Sequence, residues 1–352
     1  MAVEKKIFTR MGDGSIVYMT EAEIRADIRE GIEDAVKRGK IDPLTKEEEE
    51  HLYDIITMPS SIVGVEHGMQ IVTSSDSGSD KINTKCGIPT SRDVNAMLHE
   101  RILGCDSVDI GFSDYNYKTV KGVAKREATI LKQALNHTTM PLFYGAMPNL
   151  GFYTKPDGPV DNWAVLLPEG KIKEAMVAQE EAVHHAVQDI VFVAEQMYDV
   201  GADGIILDTT GAAGDADVLA ALQATEIICE RFPDMPVEIG MAGEFILGMH
   251  GKLEYKGTRL AGLYPHKQVK IVEQCGASIF GAVVNTNTNK SFAWNIARVC
   301  TFIKACTAVA EIPVHANVGM GVGGIPMCEN LPSDVVSKAD KALVEIGRID
   351  GL

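Results

Sequence analysis

The chain is short of positive charge. Its 352 residues include 33 Lys and Arg against 49 Asp and Glu, which gives a formal net charge of −16 at pH 7. A surface this acidic repels phosphate groups, so the composition argues against nucleic acid or an anionic membrane as a main partner. The charge gives no information about the substrate.

Long apolar runs and a leader-like start are also missing. Residues 1–6 lack the basic and then apolar pattern of a secretion signal. No apolar run approaches the roughly 20 residues that a membrane-spanning helix needs. We therefore expect a soluble protein of the cytoplasm.

Paired cysteines and metal-binding motifs are a third absence. The seven cysteines are scattered, with no Cys-x-x-Cys pair, which favours reduced thiols in a reducing compartment. No His-x-Cys or His-Glu-x-x-His spacing supports zinc. The sequence therefore predicts no bound metal.

Similar cues do recur along the second part of the chain, and each opens a short apolar run. Glycine turns that close a helical stretch alternate with pairs of an apolar residue and proline. Short apolar runs of this kind are typical of parallel strands covered on both faces. The predicted strands are Val108–Gly111, Leu142–Tyr144, Gly204–Asp208, Val237–Met241, Ile279–Val284 and Val314–Val318.

A seventh cue, Ile349-Asp350-Gly351-Leu352, repeats Asp203-Gly204-Ile205. Helical patterns, such as 218–231 and 291–310, lie between the runs, and most run starts are separated by about the length of a strand, a helix and two loops. The predicted fold class is therefore α/β, a TIM-type (β/α)8 barrel that is incomplete at the C-terminus. A doubly wound open sheet is the alternative.

The predicted domain organisation separates an N-terminal extension, residues 1–100, from the (β/α) barrel, residues 101–352, whose last strands are missing. The extension is expected to pack on the barrel. In it, Arg10–Gly14 is typical of a glycine turn between short strands, and Thr20 and Glu23 form a capping box for a helix that runs to about Lys40. Residues 74–88 are polar and glycine-rich, which predicts an exposed loop.

Polar side chains are concentrated after the predicted strands, where a barrel of this type has its active face. Carboxylates in a water-poor cavity suit proton transfer or the binding of a cationic amine. Glycines there let a large flat group, such as a partner's cofactor, approach the backbone. Glu238 and Glu244 are predicted to act on protons or to hold a cationic amine. Asp208 and His315 are the other two predicted catalytic residues. The predicted pocket residues are Asn285, Asn287, Asn317 and His250 as polar groups, with Tyr144 and Met147 as pocket wall.

Several of these features also have a purely structural explanation. Asn289 or Ser291 can cap the helix that follows, and Asp208 can cap the next helix in the same way. His184-His185 lies in the middle of a predicted helix, where surface or core is the simpler assignment. Residues 319–324 match G-x-G-x-x-G, but no helix starts directly after them, so a dinucleotide site is rejected.

The loop sequences resemble those of the dimethylamine–corrinoid protein methyltransferases. The strings that carry the resemblance are Arg10–Gly14, Leu207–Asp215, Gly240–Glu244, Asn285–Asn289 and Gly319–Met327. The resemblance runs along the whole chain and is weakest in residues 40–90. It implies a barrel enzyme of methylamine catabolism or methanogenesis that passes a methyl group from dimethylamine to the Co(I) corrinoid of a cognate corrinoid protein. The enzyme itself would bind no cofactor directly.

The same resemblance implies that the reactive residue is pyrrolysine, encoded by an in-frame amber codon. In the family it comes shortly after the segment that matches Ile349–Leu352, and its electrophilic imine would take up the amine nitrogen. We expect the 352 residues to be the product of reading that codon as a stop. The gene sequence after the Leu352 codon tests this expectation.

Two other functions remain open. One is a barrel lyase or aldolase that uses carboxylates alone and ends naturally at Leu352. The other is a truncated product without catalytic activity. An open sheet edge would expose unpaired N–H and C=O groups of the backbone, so a homo-oligomer is expected.

Overall fold

The computed structural model of the protein describes residues 6–76, 81–83, 88–89, 109–113, 116–117, 121–208, 210, 214–240, 243–248 and 251–352. The chain divides into two compact units. The first consists of Met1–Ile71 with Ala282–Leu352, and the second is Val72–Gly281.

The first unit begins with a hairpin and two capped helices. Its elements are β1 (Ile7–Arg10), β2 (Ile16–Met19), α1 (Glu21–Gly39) and α2 (Lys46–Thr57). The strands are antiparallel and are joined by the predicted glycine turn. The predicted capping box is present, because the Thr20 N–H donates to the Glu23 carboxylate and the Glu23 N–H donates to Thr20 Oγ1. Helix α1 ends as predicted, with Lys40 in the left-handed conformation.

The second unit contains a parallel sheet with helices between its strands. Its strands are β3 (Thr73–Asp76), β4 (Lys81–Asn83), β5 (Ile88–Pro89), β6 (Asp109–Ser113), β7 (Asn116–Tyr117), β8 (Leu142–Pro148), β9 (Gly204–Leu207), β10 (Val237–Gly240), β11 (Glu254–Tyr255), β12 (Thr258–Arg259) and β13 (Ile279–Ala282). Its helices are α3 (Lys121–Leu135), α4 (Trp163–Leu166), α5 (Ile172–Asp199), α6 (Asp215–Arg231) and α7 (Pro265–Gln274).

The strand order in this sheet is β3-β6-β8-β9-β10-β13, and each neighbouring pair is parallel. Every residue of β9 and β10 is buried, as expected for parallel strands covered on both faces. The α/β class is confirmed, and so are the five predicted strands that fall in this unit. Closure into a barrel stays a prediction.

The prediction of an exposed loop over residues 74–88 is wrong in part. β3 pairs in parallel with β6, with Thr73 opposite Asp109 and Asp76 opposite Phe112, and β4 and β5 form a short antiparallel pair. These strands were not predicted because their side chains are polar. Their pairing is made by backbone groups, which are the same in every residue type, and the strand preference of a side chain depends on its context.

The first unit continues with α8 (Phe292–Thr307), β14 (Val314–Ala316), α9 (Ser333–Ala342) and a π-helical turn, Leu343–Gly347. Helix α8 is buried along most of its length, with Ser291 as its N-cap. It packs closely on α1, since a Cβ on Gly31 would lie 2.3 Å from the Trp294 carbonyl oxygen. The seventh cue also begins strand-like pairing, because Gly351 forms a parallel bridge with His315.

In the described part of the chain, no helix combines the length and the apolar character needed to cross a bilayer.

Candidate functional site

The four predicted catalytic residues belong to different units. Asp208, Glu238 and Glu244 are in the unit Val72–Gly281, and His315 is in the other unit.

Asp208 and Glu238 share one face of the parallel sheet. Glu238 lies opposite Ile206 in the register of β9 and β10, so Asp208 is level with Gly240, two residues further along β10. Side chains two residues apart on a strand point to the same face. Glu238 is buried and Asp208 is half-buried.

Glycines make room for the two carboxylates on this face. A Cβ on Gly240 would lie 2.7 Å from Asp208 Oδ1, so the Asp208 carboxylate lies directly over Gly240. The Glu238 carboxylate lies beside Gly281 of β13, where a Cβ would be 3.4 Å from Glu238 Oε1. A larger residue at position 240 would displace the Asp208 carboxylate, whereas one at position 281 would first meet Gly240 Cα of β10, 2.8 Å from the added Cβ.

The backbone around Asp208 is fixed by its neighbours. The Asp208 N–H donates to the Ala146 carbonyl of β8 over 2.7 Å. Thr210 is fully buried, and both its N–H, at 3.1 Å, and its Oγ1, at 3.0 Å, donate to the Gly240 carbonyl. Asp208 is therefore held between β8 and β10, and it does not cap α6, whose N-cap is Gly214.

Glu244 is buried in the loop that follows β10. Ile246 anchors this loop, because its N–H donates to the Leu263 carbonyl and its carbonyl accepts from the Gly262 N–H. The loop also rests on the start of α6, where a Cβ on Gly248 would be 2.7 Å from Asp215 Oδ2. The position of Glu244 thus depends on backbone contacts that link it to two other segments.

The remaining predicted residues of this unit have different placements. Tyr144 lies opposite Ile205, so its buried side chain is on the sheet face opposite to Glu238, and its role as pocket wall stays a prediction. Met147 lies opposite Asn116 near the end of β8. His250 lies outside the described residues.

In the first unit, Asn285 and Asn287 are exposed on the loop before α8. The amide of buried Asn295 holds this loop from below, because Asn295 Oδ1 accepts from the Asn287 N–H at 2.8 Å and Nδ2 donates to the Asn287 carbonyl at 3.0 Å. The Asn287 side chain accepts from the Asn289 N–H. Ser291, and not Asn289, caps α8.

Arg298 connects the same loop to α1. Its Nη1 donates to the Asn285 carbonyl at 3.4 Å and its Nε donates to Asp34 Oδ2 at 2.7 Å. Burial acts to raise the pKa of Asp34, but the hydrogen bonds from Arg298 and Arg38 outweigh it and hold that pKa below its usual value. Arg298 is therefore a charged anchor beneath an exposed polar loop.

His315 is buried in β14, and its imidazole lies against the backbone of Gly351. A Cβ on Gly351 would be 2.3 Å from both Cδ2 and Nε2 of His315. Asn317 is exposed, and its N–H donates to the Ala282 carbonyl at 2.8 Å. Only a glycine at 351 leaves room for the histidine ring.

The histidine pair His184-His185 lies in the middle of α5, as predicted. His184 is exposed and hydrogen bonds Gln188, and His185 stacks on Tyr153 with ring centroids 6.1 Å apart. These contacts give the pair a structural role.

The cysteines of the described residues are free thiols, namely Cys229, Cys275, Cys300, Cys306 and Cys328. Burial raises the pKa of Cys275 to about 12 and that of Cys300 and Cys306 still further. These three thiols therefore stay protonated at neutral pH and act as apolar core groups.

Sequence reasoning missed Thr210, Asn295 and Arg298, whose side chains position loops. Thr210 stands two residues after Asp208, and a hydroxyl so close to a strand end was the available signal. Asn295 and Arg298 fall inside a helical pattern, where nothing in the sequence indicates that they reach back to the preceding loop.

The chain is similar along almost its whole length to one protein family. The family model described as dimethylamine methyltransferase (Dimeth_PyL) matches residues 5–352. The matched range includes all of the predicted site residues.

Proposed function

Because the chain belongs to the dimethylamine methyltransferase family, we propose that it transfers one methyl group from dimethylamine to the Co(I) corrinoid of a separate corrinoid protein. The family match supports the methyltransferase activity and dimethylamine as the substrate. The corrinoid acceptor is the finer part of the proposal, and it follows from the loop sequences that resemble those of the corrinoid-dependent enzymes.

The sheet face that bears Asp208 and Glu238 suits an alkylammonium substrate. Dimethylamine is a cation at neutral pH, and a carboxylate in a poorly hydrated position attracts a cation more strongly than one in bulk water. We therefore propose that the two carboxylates on this face, Asp208 over Gly240 and Glu238 beside Gly281, bind the cation.

Glu238 is the group best placed to move a proton. The nitrogen of the ammonium ion has no lone pair, so a proton must leave before the nitrogen can add to the electrophilic imine of pyrrolysine, and a buried carboxylate oxygen of Glu238 can accept that proton. Asp208, which is half-buried, is proposed to orient the cation. Glu244, on the loop after the same strand, is the second acid/base candidate.

The exposed amides of Asn285, Asn287 and Asn317 are suited to contact a partner's macrocycle. Amide side chains donate and accept hydrogen bonds, and the rim of a corrinoid carries amide groups of the same kind. When bound, Co(I) supplies the nucleophile that accepts the methyl group. The nitrogen would carry a positive charge when its methyl group passes to cobalt, and the amine would leave as monomethylamine after the proton returns to it from the protein.

We also propose that the gene is read past the Leu352 codon and that the longer product, called the full-length protein below, carries pyrrolysine as its reactive residue. Family membership supports this proposal. Intact-protein mass spectrometry, followed by peptide sequencing, tests this part of the proposal independently of activity. The homo-oligomer is proposed as well, and light scattering coupled to size exclusion tests it against the 38.0 kDa mass of the chain.

The transfer itself is tested by mixing the full-length protein with its corrinoid protein, reduced to Co(I), and each of the three methylated amines. We expect the Co(I) absorption to decay to that of methyl-Co(III) with dimethylamine and at least tenfold more slowly with monomethylamine or trimethylamine. Equal rates with all three amines would contradict the proposed substrate. No decay with any of them would contradict the reaction, and release of a small product without cobalt methylation would favour a lyase.

A further inference from the structure

The turn of the β1–β2 hairpin, residues 11–14, packs on two loops of the first unit. We call residues 285–290 the asparagine loop and residues 319–328 the glycine loop. The Gly12 N–H donates to the Lys290 carbonyl at 2.7 Å, and the Gly12 carbonyl accepts from the Met327 N–H at 2.8 Å. One glycine peptide thus connects both loops.

The contact leaves no space for a side chain at position 12. A Cβ on Gly12 would lie 2.1 Å from the Asn287 carbonyl oxygen and 2.9 Å from Thr288 Cα. These are backbone atoms, which cannot turn aside as a flexible side chain can. Any other residue at position 12 must therefore push the hairpin turn and the asparagine loop apart.

The two loops also contact each other. The Thr286 N–H donates to the Gly321 carbonyl at 2.9 Å, and the Gly323 N–H donates to the Val284 carbonyl at 3.0 Å. Hairpin turn, asparagine loop and glycine loop therefore form one assembly of backbone hydrogen bonds, in which each piece contacts the other two.

The hairpin turn is itself tied to the unit. The Arg10 guanidinium donates through Nε to both oxygens of the Asp334 carboxylate at 3.1 Å and through Nη1 to the Gly14 carbonyl at 3.1 Å. The turn can therefore fix the position of the loops, because it is held by α9 on its other side.

We infer that the hairpin turn is a positioning element for the proposed methyl-transfer site and that Gly12 is its central positioning residue. This inference rests on the proposed function, since it assigns Asn285 and Asn287 to the contact with substrate or corrinoid. A displacement of about 1 Å in a group that orients reactants can lower a rate by about 100-fold. The hairpin thus gives the N-terminal segment a part in turnover.

The test compares Gly12→Ala with Gly64→Ala in the full-length protein. Gly64 lies in the same unit, and a Cβ built on it meets nothing within 4 Å, so it is a matched control. Two quantities are measured for each variant: the amide hydrogen exchange of peptides covering residues 285–290 and 321–328, and kcat/KM for dimethylamine with the corrinoid protein.

For Gly12→Ala we expect exchange in both peptides to be at least tenfold faster and kcat/KM to fall at least tenfold, with Gly64→Ala within twofold of the parent in both. Exchange within twofold of the parent would overturn the inference, and so would faster exchange with unchanged kcat/KM. If the parent protein shows slow amide exchange in both loop peptides but no methyl transfer, the proposed function fails. The exchange of Gly12→Ala relative to the parent still decides whether the hairpin turn fixes the loops.

Should Gly12→Ala fail to fold, Arg10→Lys provides a milder change at the same place. Lysine keeps the charge but cannot donate to Asp334 and Gly14 in the same forked geometry. The same two outcomes then apply: faster exchange of both peptides together with a reduced kcat/KM supports the inference, and parental values of either quantity overturn it.

Discussion

At the scale of residues, a few side chains determine the geometry of the sheet face that carries Asp208 and Glu238. Glu238 and Asp208 stand on neighbouring strands, and both point to the same face because their register differs by two residues along β10. Two glycines, Gly240 and Gly281, keep the space above the strands open for them. The arrangement requires that both carboxylates and both glycines occupy strand positions whose side chains point to the same face of the sheet.

The first prediction concerns Glu238→Gln in the full-length protein. If the Glu238 carboxylate accepts a proton from the substrate, the amide should lower kcat by about 100-fold or more, because general-base catalysis contributes about 10²–10⁴-fold. Single-turnover methylation of cobalt measures the rate. Glu254→Gln, at an exposed position of the same unit, should retain the parental rate, and a Glu238→Gln variant as active as this control would remove Glu238 from the site.

The second prediction concerns Asp340, a half-buried residue of α9. Burial raises the pKa of Asp340 to about 7, whereas an exposed aspartate titrates near 3.9. The folded state therefore holds the proton more tightly than the unfolded state, and the free energy of unfolding must fall as the pH rises from about 4 to about 7. Below pH 4 both states are protonated and the penalty is absent.

Asp340→Asn should accordingly stabilise the protein at pH 8, by up to about 4 kcal/mol for a difference of about three pKa units, and should have little effect at pH 4. Urea unfolding across this pH range measures the difference between variant and parent. The exposed Asp42→Asn variant serves as control and should follow the parent at every pH. A stability difference for Asp340→Asn that does not change with pH would contradict the account of its burial.

At the scale of elements, most boundaries were predictable because their causes are local. The capping box at Thr20, the glycine turn after Arg10 and the cap at Ser291 are each set by residues within a few positions. β3 was not predictable in the same way, since its polar residues form a strand only through pairing with β6. The hydrogen bonds from the Asn295 amide to the Asn287 backbone were not predictable for the same reason. They depend on where a helix meets the loop before it.

The third prediction concerns the contact between α1 and α8. In an open helix, Gly→Ala adds about 0.5–1 kcal/mol of stability. At Gly31 the added methyl group would lie 2.3 Å from the Trp294 carbonyl oxygen, and overpacking of this kind costs about 1–3 kcal/mol. Gly31→Ala should therefore lower the free energy of unfolding.

The sign of that change is the decisive observation, and thermal or urea unfolding gives it. Glu33→Ala, at an exposed position of the same helix, should change stability by less than about 0.5 kcal/mol. A stabilised Gly31→Ala variant would mean that α1 and α8 are further apart than the structure shows.

At the scale of the whole molecule, the family could be named from the sequence because its loop strings are long and distinctive. The positions of individual side chains could not be predicted from the sequence, because they depend on strand register. Tyr144 illustrates this difference: its position next to a strand end suggested a pocket wall, and its register opposite Ile205 puts it on the other face. A shift of one residue reverses the face of every side chain on a strand.

The fourth prediction concerns binding of the amine to the full-length protein. A ligand at 100 times its Kd stabilises the folded state by about 2.7 kcal/mol, so saturating dimethylammonium should raise Tm by a few degrees. Isopropanol, a neutral molecule of similar size, should not. Asp208→Asn should reduce the shift, and an equal shift in the parent and Asp208→Asn would show that the cation binds elsewhere.

The most direct measurement of the central claim uses dimethylamine labelled with ¹³C in one methyl group. The labelled amine is mixed with the full-length protein and its corrinoid protein in the Co(I) state, and the cobalt-bound methyl group and the amine product are followed by NMR. The account predicts a ¹³C methyl–cobalt signal together with one equivalent of monomethylamine for each cobalt methylated. Labelled dimethylamine that persists unchanged beside Co(I), or ¹³C that appears in any product other than methyl–cobalt and monomethylamine, would contradict it.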